Sequence, residues 1–494
     1  MNRPLRHIAI FCGLLMLALL VRANWVQFVQ AGDLSTDKKN RRVLINQYAV
    51  PRGNIVVGGR PITGSVQVEG SDFKYKRTYT NGPMYAQVTG YASQSMGMTL
   101  LENTYDGVLS GTDDRLAFER FTDVVTGKER RGGDIITTID PKAQEAAYKG
   151  LTGLKARGSV VALEPATGKV LALVSTPSAD PGTFSGNSLK ESKEFTSLDA
   201  DKGKPLANRA LRETFPPGST FKILTAAAAL EHGVVTDVDA SSGAASPYPL
   251  PLSSNKIGSQ AGDAVCDKAS LKTAMQYSCN NVFLDAAVKL GNDKMLETAE
   301  KFGYNKDVYS DEIGDLRAVK SLYPNGLDKP GTALTGMGQG SLTSTPMQMA
   351  MVTAALVNKG KVMQPYIVDE VRTPALDTLE KHEPKEMNQA VSEETAAKVR
   401  EMMEHTAKEG SAQRALIDGI TVGGKTGTAQ RGVDVREQVP YGWFVSYGIK
   451  PDGKSVAVAV FIDPTAMDIS REDISGGSLA GPIARDVMKA VLEN

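Results

Sequence analysis

The sequence predicts an α+β fold in which a five-stranded antiparallel sheet is covered by helices. Three observations predict it. Two apolar segments, 158–165 and 169–175, have the length and composition of strands, and Ala166, Thr167 and Gly168 between them read as a hairpin turn. Three further strand-like segments lie late in the chain, around 421–429, 441–449 and 455–462. The stretch between the two groups is helical and rich in loops, and forms a helical subdomain. Strands collected at both ends of a segment, with helices between and after them, fit one antiparallel sheet under helices.

The chain begins with an unbroken apolar run at 8–21, preceded by Arg3, Arg6 and His7. Crossing a bilayer takes about 20 residues. The apolar character resumes after Arg22 with Ala23, Trp25, Val26, Phe28 and Val29, so 1–31 reads as a cytoplasmic tip and an uncleaved membrane anchor. A cleavable signal ending near Val29 and Ala31 is the alternative, and either reading exports the rest of the chain. Residues 32–150 are polar, with short alternating runs at 42–48 and 65–69, and read as a small pedestal module that is β-rich or α+β. The stretch GKERRGG at 127–133 reads as an exposed connection. The remainder, 151–494, is expected to form one large domain.

Within that remainder, 221–230 reads as a buried helix ending near Gly233, and 345–356 as another. Residues 392–407 have helical periodicity and open with Ser-Glu-Glu-Thr, and 479–492 reads as a closing helix.

Composition narrows the function. Lys plus Arg and Asp plus Glu both number 56, so the basic excess typical of nucleic-acid binders is missing; the run at 38–42 reads as a solvated loop. The four histidines and three cysteines show no metal-ligand spacing, which predicts no metal site and no cofactor built on one. Cys266 and Cys279 can pair in an oxidising compartment or remain two buried thiols, and the sequence leaves both open.

The sharpest local feature is Pro216-Pro217-Gly218-Ser219-Thr220-Phe221-Lys222. The prolines end whatever precedes them, Gly218 permits an unusual turn, and a helix opens at or just after Ser219. Ser219 is thereby set against unpaired N–H groups at the positive end of the helix dipole, and Lys222 comes three residues on, on the same face. A serine hydroxyl needs a base to act as a nucleophile. Lysine is protonated at its ordinary pKa of about 10.4, but burial can lower that value by up to ~3–5 units. Phe221, Ile223 and Leu224 are suited to impose that burial, so neutral Lys222 is the expected base. The spelling Ser-x-x-Lys alone carries little: Ser35, Ser71 and Ser253 share it without the prolines or the apolar helix.

Two further elements come later in the chain. Ser278-Cys279-Asn280 offers a hydroxyl for proton relay and an amide that can both donate and accept. Lys425-Thr426-Gly427-Thr428 occurs once, on a strand-like segment, where Lys425, Thr426 and Thr428 can grip a carboxylate and Gly427 lets a ligand backbone approach. The segment 419–426 also spells G-x-x-x-x-G-K-[ST]. That phosphate-binding loop requires a helix at its lysine, whereas Thr421, Val422 and the following glycines favour a strand.

Taken together, Ser-x-x-Lys, Ser-x-Asn and Lys-Thr-Gly in this order resemble the penicillin-binding protein and serine β-lactamase superfamily. The segments GSVVALEPATGKVLALVSTPS at 158–178, NRALRETFPPGSTFK at 208–222, MGQGSLTSTPMQMA at 337–350 and GWFVSYGIKPDG at 442–453 extend the likeness to the transpeptidase domain. The anchor, VPRGNI at 50–55 and YDGVLSGTDD at 105–114 resemble class B, monofunctional members, and among them the actinobacterial penicillin-binding protein A type. A departure lies just after VPRGNI, where many class B members have Asp-Arg and this chain has Val56-Val57.

The resemblance implies a peptidoglycan D,D-transpeptidase that crosslinks stem peptides and is acylated by β-lactams. It implies Ser219 as nucleophile, Lys222 as base, Ser278 as proton shuttle and Asn280 as a holder of the peptide amide. Lys425, Thr426 and Thr428 are implied at the terminal carboxylate, and the N–H groups of Ser219 and Thr428 in the oxyanion hole. It further implies an extracytoplasmic catalytic domain and an integral-membrane glycan polymerase as partner. A D,D-carboxypeptidase, a β-lactamase and a non-catalytic β-lactam sensor are the alternatives. No Glu-x-x-Leu-Asn pattern supplies the deacylating base of a class A β-lactamase.

Overall fold

The computed structural model describes residues 3–36, 41–69, 71–307, 318–431, 438–471 and 474–493. The first three residues of the basic run at 38–42 lie outside the described residues.

The large domain is built on five strands: β1 Arg157–Leu163, β2 Val170–Thr176, β3 Thr421–Ala429, β4 Tyr441–Ile449 and β5 Ser455–Asp463. They pair antiparallel throughout in the order β3-β4-β5-β1-β2, which leaves β3 at an edge. The β1–β2 turn is closed by Gly168, whose N–H bonds to the Glu164 carbonyl and whose φ is +84°. β3 runs through Lys425 to Ala429 with no helix opening at the lysine, so 419–426 does not form a phosphate loop.

Successive residues of a strand face opposite sides of a sheet. Along β1, Val160 and Ala162 pack in one cluster with Ala147 and Leu151 of the helix Pro141–Gly153 and with Val487 and Met488 of the closing helix Gly481–Leu492. Val161 and Leu163 face a second cluster that holds Ile223 and Leu224 of the helix Lys222–Glu231 and Ala350 of the helix Pro346–Val357. Both faces are therefore covered, which explains why β1, β2 and β5 read as nearly continuous apolar runs. The helix Pro346–Val357 is buried nearly all round, and Thr345 caps it by accepting from the Gln348 N–H. Ser392 caps the helix Glu393–Glu409 in the same way.

The N-terminal helix Arg3–Asn24 continues through a π-helical turn, Trp25–Val29, giving one exposed apolar segment of 27 residues. At 1.5 Å per residue it is long enough to cross a membrane.

The pedestal differs from its sequence reading in three respects. First, the alternation at 42–48 suggests a strand, but Arg41–Gln47 is a helix. Seven residues with Arg, Leu and Gln suit either state, and the Gln47 amide bonding Asp106 at 2.8 Å favours the helix. With helices at Gly82–Thr89 and Ala117–Thr126 as well, the module is α+β, one of the two expected states. Second, Gly132 and Gly133, at the end of the connection expected to be exposed, are buried. A side chain at Gly53 would put its Cβ 1.8 Å from the Gly133 carbonyl oxygen, so two backbones touch here. Third, the module's sheet crosses the division at 150. Its order is Thr378–Lys381, Val368–Arg372, Asp134–Thr137, Ile55–Val57 and Arg60–Pro61, with Ile55–Val57 parallel to Asp134–Thr137. The two segments after residue 360 are short and polar, and no local pattern marks their partner.

The segments at 50–55 and 105–114 meet inside this module. Arg52 contacts Asp106 at 2.6 Å and Glu102 at 3.2 Å, and Arg77 contacts the other oxygen of Glu102 at 2.6 Å. Arg52, Arg77 and Glu102 are buried.

Candidate active site

Pro216 and Pro217 bring the chain to a 3-10 turn, Gly218–Phe221, which runs directly into the helix Lys222–Glu231. The turn is fixed on three sides. The Gly218 N–H donates to the Gly338 carbonyl at 2.9 Å, Trp443 Nε1 donates to the Pro216 carbonyl at 3.0 Å, and the Thr220 hydroxyl donates to the Pro217 carbonyl at 2.7 Å. Ser219 is left half-buried at the turn's outer side, lining a cleft of about 970 Å³.

Ser278 ends the helix Leu271–Tyr277 in the left-handed region, with φ of 59°, and Asn280 opens the next helix. Cys279 between them is disulfide-bonded to Cys266, with 5.4 Å between the Cα atoms. The bridge ties this turn to the short helix Asp263–Cys266, and the Asn281 amide adds a bond to the Cys266 carbonyl at 2.6 Å.

Lys222 is fully buried. Its Nζ lies 2.7 Å from the Ser278 carbonyl, 2.7 Å from Asn280 Oδ1 and 3.3 Å from Ser278 Oγ. Among the described residues it makes no hydrogen bond to Ser219 Oγ. Lys425, also buried, approaches from β3 and places Nζ 2.8 Å from Ser278 Oγ and 3.1 Å from the Thr426 carbonyl. Burial holds the Lys222 ammonium well below the ordinary lysine range, and the nearby Lys425 charge lowers it further. Burial brings Lys425 down to about 7.

These contacts order the donors and acceptors around Ser278. The Ser278 carbonyl and Asn280 Oδ1 can only accept, so they take two N–H bonds from Lys222. Once Lys222 is neutral, its lone pair is left facing Ser278 Oγ. Lys425 donates into the same oxygen, and the Ser278 proton is free to point at Lys222.

The cleft gathers Ser219, Ser278, Asn280, Thr426 and Thr428 along its wall, with Lys222 and Lys425 buried behind them. Two expected contacts differ in kind. Gly427 faces the serine turn and not the cleft: an added Cβ would lie 2.9 Å from both Thr220 Cγ2 and Trp443 Cβ. Asn280 already uses both ends of its amide, donating to the Gly258 carbonyl at 2.8 Å while accepting from Lys222. The sequence reading missed Ser411, whose hydroxyl lies 3.0 Å from Thr426 Oγ1, and the cleft-lining Gln339, Glu409 and Arg471. Gln339 lies in the family-like segment 337–350, which could have flagged it; the others carry no local signal.

The penicillin-binding protein transpeptidase domain model matches residues 158–489, and the penicillin-binding protein A dimerisation domain model matches 52–135. The peptidoglycan D,D-transpeptidase PbpA of Mycolicibacterium smegmatis is 38% identical over 100% of this chain and 99% of its own length. Its Mycobacterium tuberculosis counterpart is 36% identical over the same shares. The ceftriaxone acyl-enzyme of M. tuberculosis penicillin-binding protein A superposes with a TM-score of 0.85 at 34% identity, over 91% of this chain and 100% of that one. With its sheet, its cleft and both domain models in agreement, this chain belongs to the penicillin-binding protein transpeptidase family.

Proposed function

We propose that this chain is a membrane-anchored peptidoglycan D,D-transpeptidase in which Ser219 forms the acyl-enzyme. The observation that carries the reading is the convergence of Lys222 and Lys425 on the one hydroxyl of Ser278, beside a cleft that Ser219 lines.

Ser219 Oγ attacks the carbonyl carbon of the penultimate D-alanine of a stem peptide. Neutral Lys222, which contacts Ser278 and not Ser219 in the free site, turns its lone pair to Ser219 Oγ and takes up the hydroxyl proton, and the N–H groups of Ser219 and Thr428 receive the developing oxyanion. The tetrahedral intermediate breaks its C–N bond, the leaving amine takes a proton through Ser278, and the terminal D-alanine departs. An amine from a neighbouring stem then attacks the ester, gives up its proton along the same route and restores the Ser219 hydroxyl. Thr426 and Thr428 hold the terminal carboxylate, with Lys425 supplying positive charge from behind. Lys425 contacts Ser278 in the free site, so its charge serves the proton route as well.

The apolar segment 3–29 is proposed to anchor the protein with its catalytic domain outside the cytoplasm, beside an integral-membrane glycan polymerase. Residues 32–150 are proposed as the pedestal and 151–494 as the transpeptidase domain, with the shared sheet joining them.

The test is mass spectrometry of the intact protein after benzylpenicillin. A penicilloyl adduct is expected on Ser219 and absent from Ser219→Ala. Product analysis with a D,D-pentapeptide and an amine acceptor separates the activities: crosslinked dimer is expected, and tetrapeptide alone would make the protein a carboxypeptidase.

A further inference from the structure

The pedestal helix Ala117–Thr126 is turned the wrong way round for a soluble surface. Phe118, Phe121 and Val125 are 75%, 67% and 69% exposed. At 3.6 residues per turn they form one stripe. The polar residues Glu119, Arg120 and Asp123 are half-buried instead, and Arg120 donates to the Gly111 and Asp113 carbonyls beneath the helix. Polar contacts hold the helix down and its apolar side faces outward.

Its position says what lies opposite. Only eleven residues, 30–40, separate the apolar segment ending at Val29 from the helix that begins at Arg41. Fully extended they reach about 37 Å, so the entry to the pedestal stays near the bilayer. That entry is joined to the far end of the inverted helix. The Tyr48 carbonyl accepts from the Tyr75 N–H, and the Tyr75 hydroxyl donates to Glu129, three residues past Thr126. Lys128, Arg130 and Arg131 come just after the helix, and the first and last of these are exposed. An apolar stripe ending in a segment of three cations and one carboxylate, Glu129, suits an anionic lipid surface.

We propose that Phe118, Phe121 and Val125 insert into the outer face of the same bilayer that the protein's anchor crosses, with Lys128, Arg130 and Arg131 at the lipid headgroups. The inference rests on the anchor reading of 3–29. The pedestal then lies on the membrane and does not hang from a free tether.

The test uses the full chain in vesicles of phosphatidylcholine and phosphatidylglycerol, with Phe121→Trp as reporter in a Trp25→Phe background. The remaining tryptophan, Trp443, is buried. Bromine-labelled acyl chains are expected to quench the reporter indole. Adding Phe118→Asp and Val125→Asp should cut that quenching at least about five-fold, because each replaces an apolar group that would enter the lipid with a carboxylate. Penicillin acylation should be unchanged, which shows the variant is folded. Quenching of the reporter by aqueous iodide and not by lipid would overturn the proposal. So would protection that grows with protein density in the membrane, which would assign the stripe to a second copy. Loss of the parent protein from the vesicles would overturn the anchor reading and this proposal with it, and is seen separately by flotation.

Discussion

Lys425 Nζ and Ser278 Oγ lie 2.8 Å apart although 147 positions separate them in the chain. The strand edge and the end of a helix thereby meet at a single hydroxyl, and Lys222 reaches it from the other side at 3.3 Å. Removing that hydroxyl should disconnect the two lysines. Ser278→Ala is expected to slow acylation by benzylpenicillin about 10²–10³-fold, the range of a lost proton-transfer group, with the fold intact. Stopped-flow or quenched acylation rates check it, and an unchanged rate would remove Ser278 from the proton route.

The two buried lysines set a pH dependence. Lys222 is held well below the usual lysine range by burial and by the nearby Lys425, so its neutral form is available at lower pH than for an exposed lysine. Acylation should therefore fall as pH drops and the Lys222 amine takes up its proton, at a pH well below the ordinary lysine range. Lys222→Arg, which cannot be neutral, should lose ~10²–10⁴-fold in acylation rate at every pH tested.

Lys425 also bears on stability. Its folded pKa of about 7 lies below its unfolded value of about 10.4. Between those values the unfolded chain binds the extra proton, so stability rises with pH across this window. The penalty is full at and below pH 7, on the order of 4–5 kcal/mol, and fades toward pH 10. Lys425→Met should melt higher than the parent at pH 7, and the gap should narrow by pH 10. Its acylation rate should fall. Scanning calorimetry at the two pH values reads the effect.

Gly427→Ala tests the fit between β3 and the serine turn. The new methyl would lie 2.9 Å from Thr220 Cγ2 and Trp443 Cβ, one side chain on the turn and one on β4. Ser219 should be displaced, and acylation should drop about 100-fold, as sub-ångström misplacement of reacting groups can cost. A crystal structure of the variant would show whether the turn has moved.

Reducing the Cys266–Cys279 bridge releases a loop of twelve intervening residues. Cys266→Ser with Cys279→Ser should lower stability by about 2–3 kcal/mol, the range for short loops. Urea titration measures the loss. Acylation by benzylpenicillin should slow as well, because Ser278 and Asn280 flank the freed sulfur.

Strands β1, β2, β4 and β5 are legible because they are largely buried on both faces and so read as mostly apolar runs bounded by turns, whereas β3 is read from Thr421, Val422 and the glycines that follow. The sequence places β3 to β5 within a residue or so at each end. The nucleophile turn is legible from Pro216-Pro217-Gly218, whose backbone limits are local. Where tertiary contact decides, the reading fails. Residues 41–47 suit a strand or a helix, and contact with Asp106 favours the helix. Strand Val368–Arg372 carries no sign that its partner is Asp134–Thr137, more than two hundred residues earlier. Ser411 likewise gains its meaning only beside Thr426. The cysteines can be paired on paper but not brought together there, since pairing needs a geometry that spacing does not supply.

The sheet that Ile55–Val57 and Asp134–Thr137 share with Val368–Arg372 has a practical corollary. A protein trimmed to begin at residue 151 would keep Val368–Arg372 and Thr378–Lys381 but lose the neighbours on one side of them. The hairpin would be left with a bare, sticky flank of unmatched amide and carbonyl groups. Soluble versions are better cut in the stretch between Val29 and Arg41, whose described residues hold no strand of this sheet.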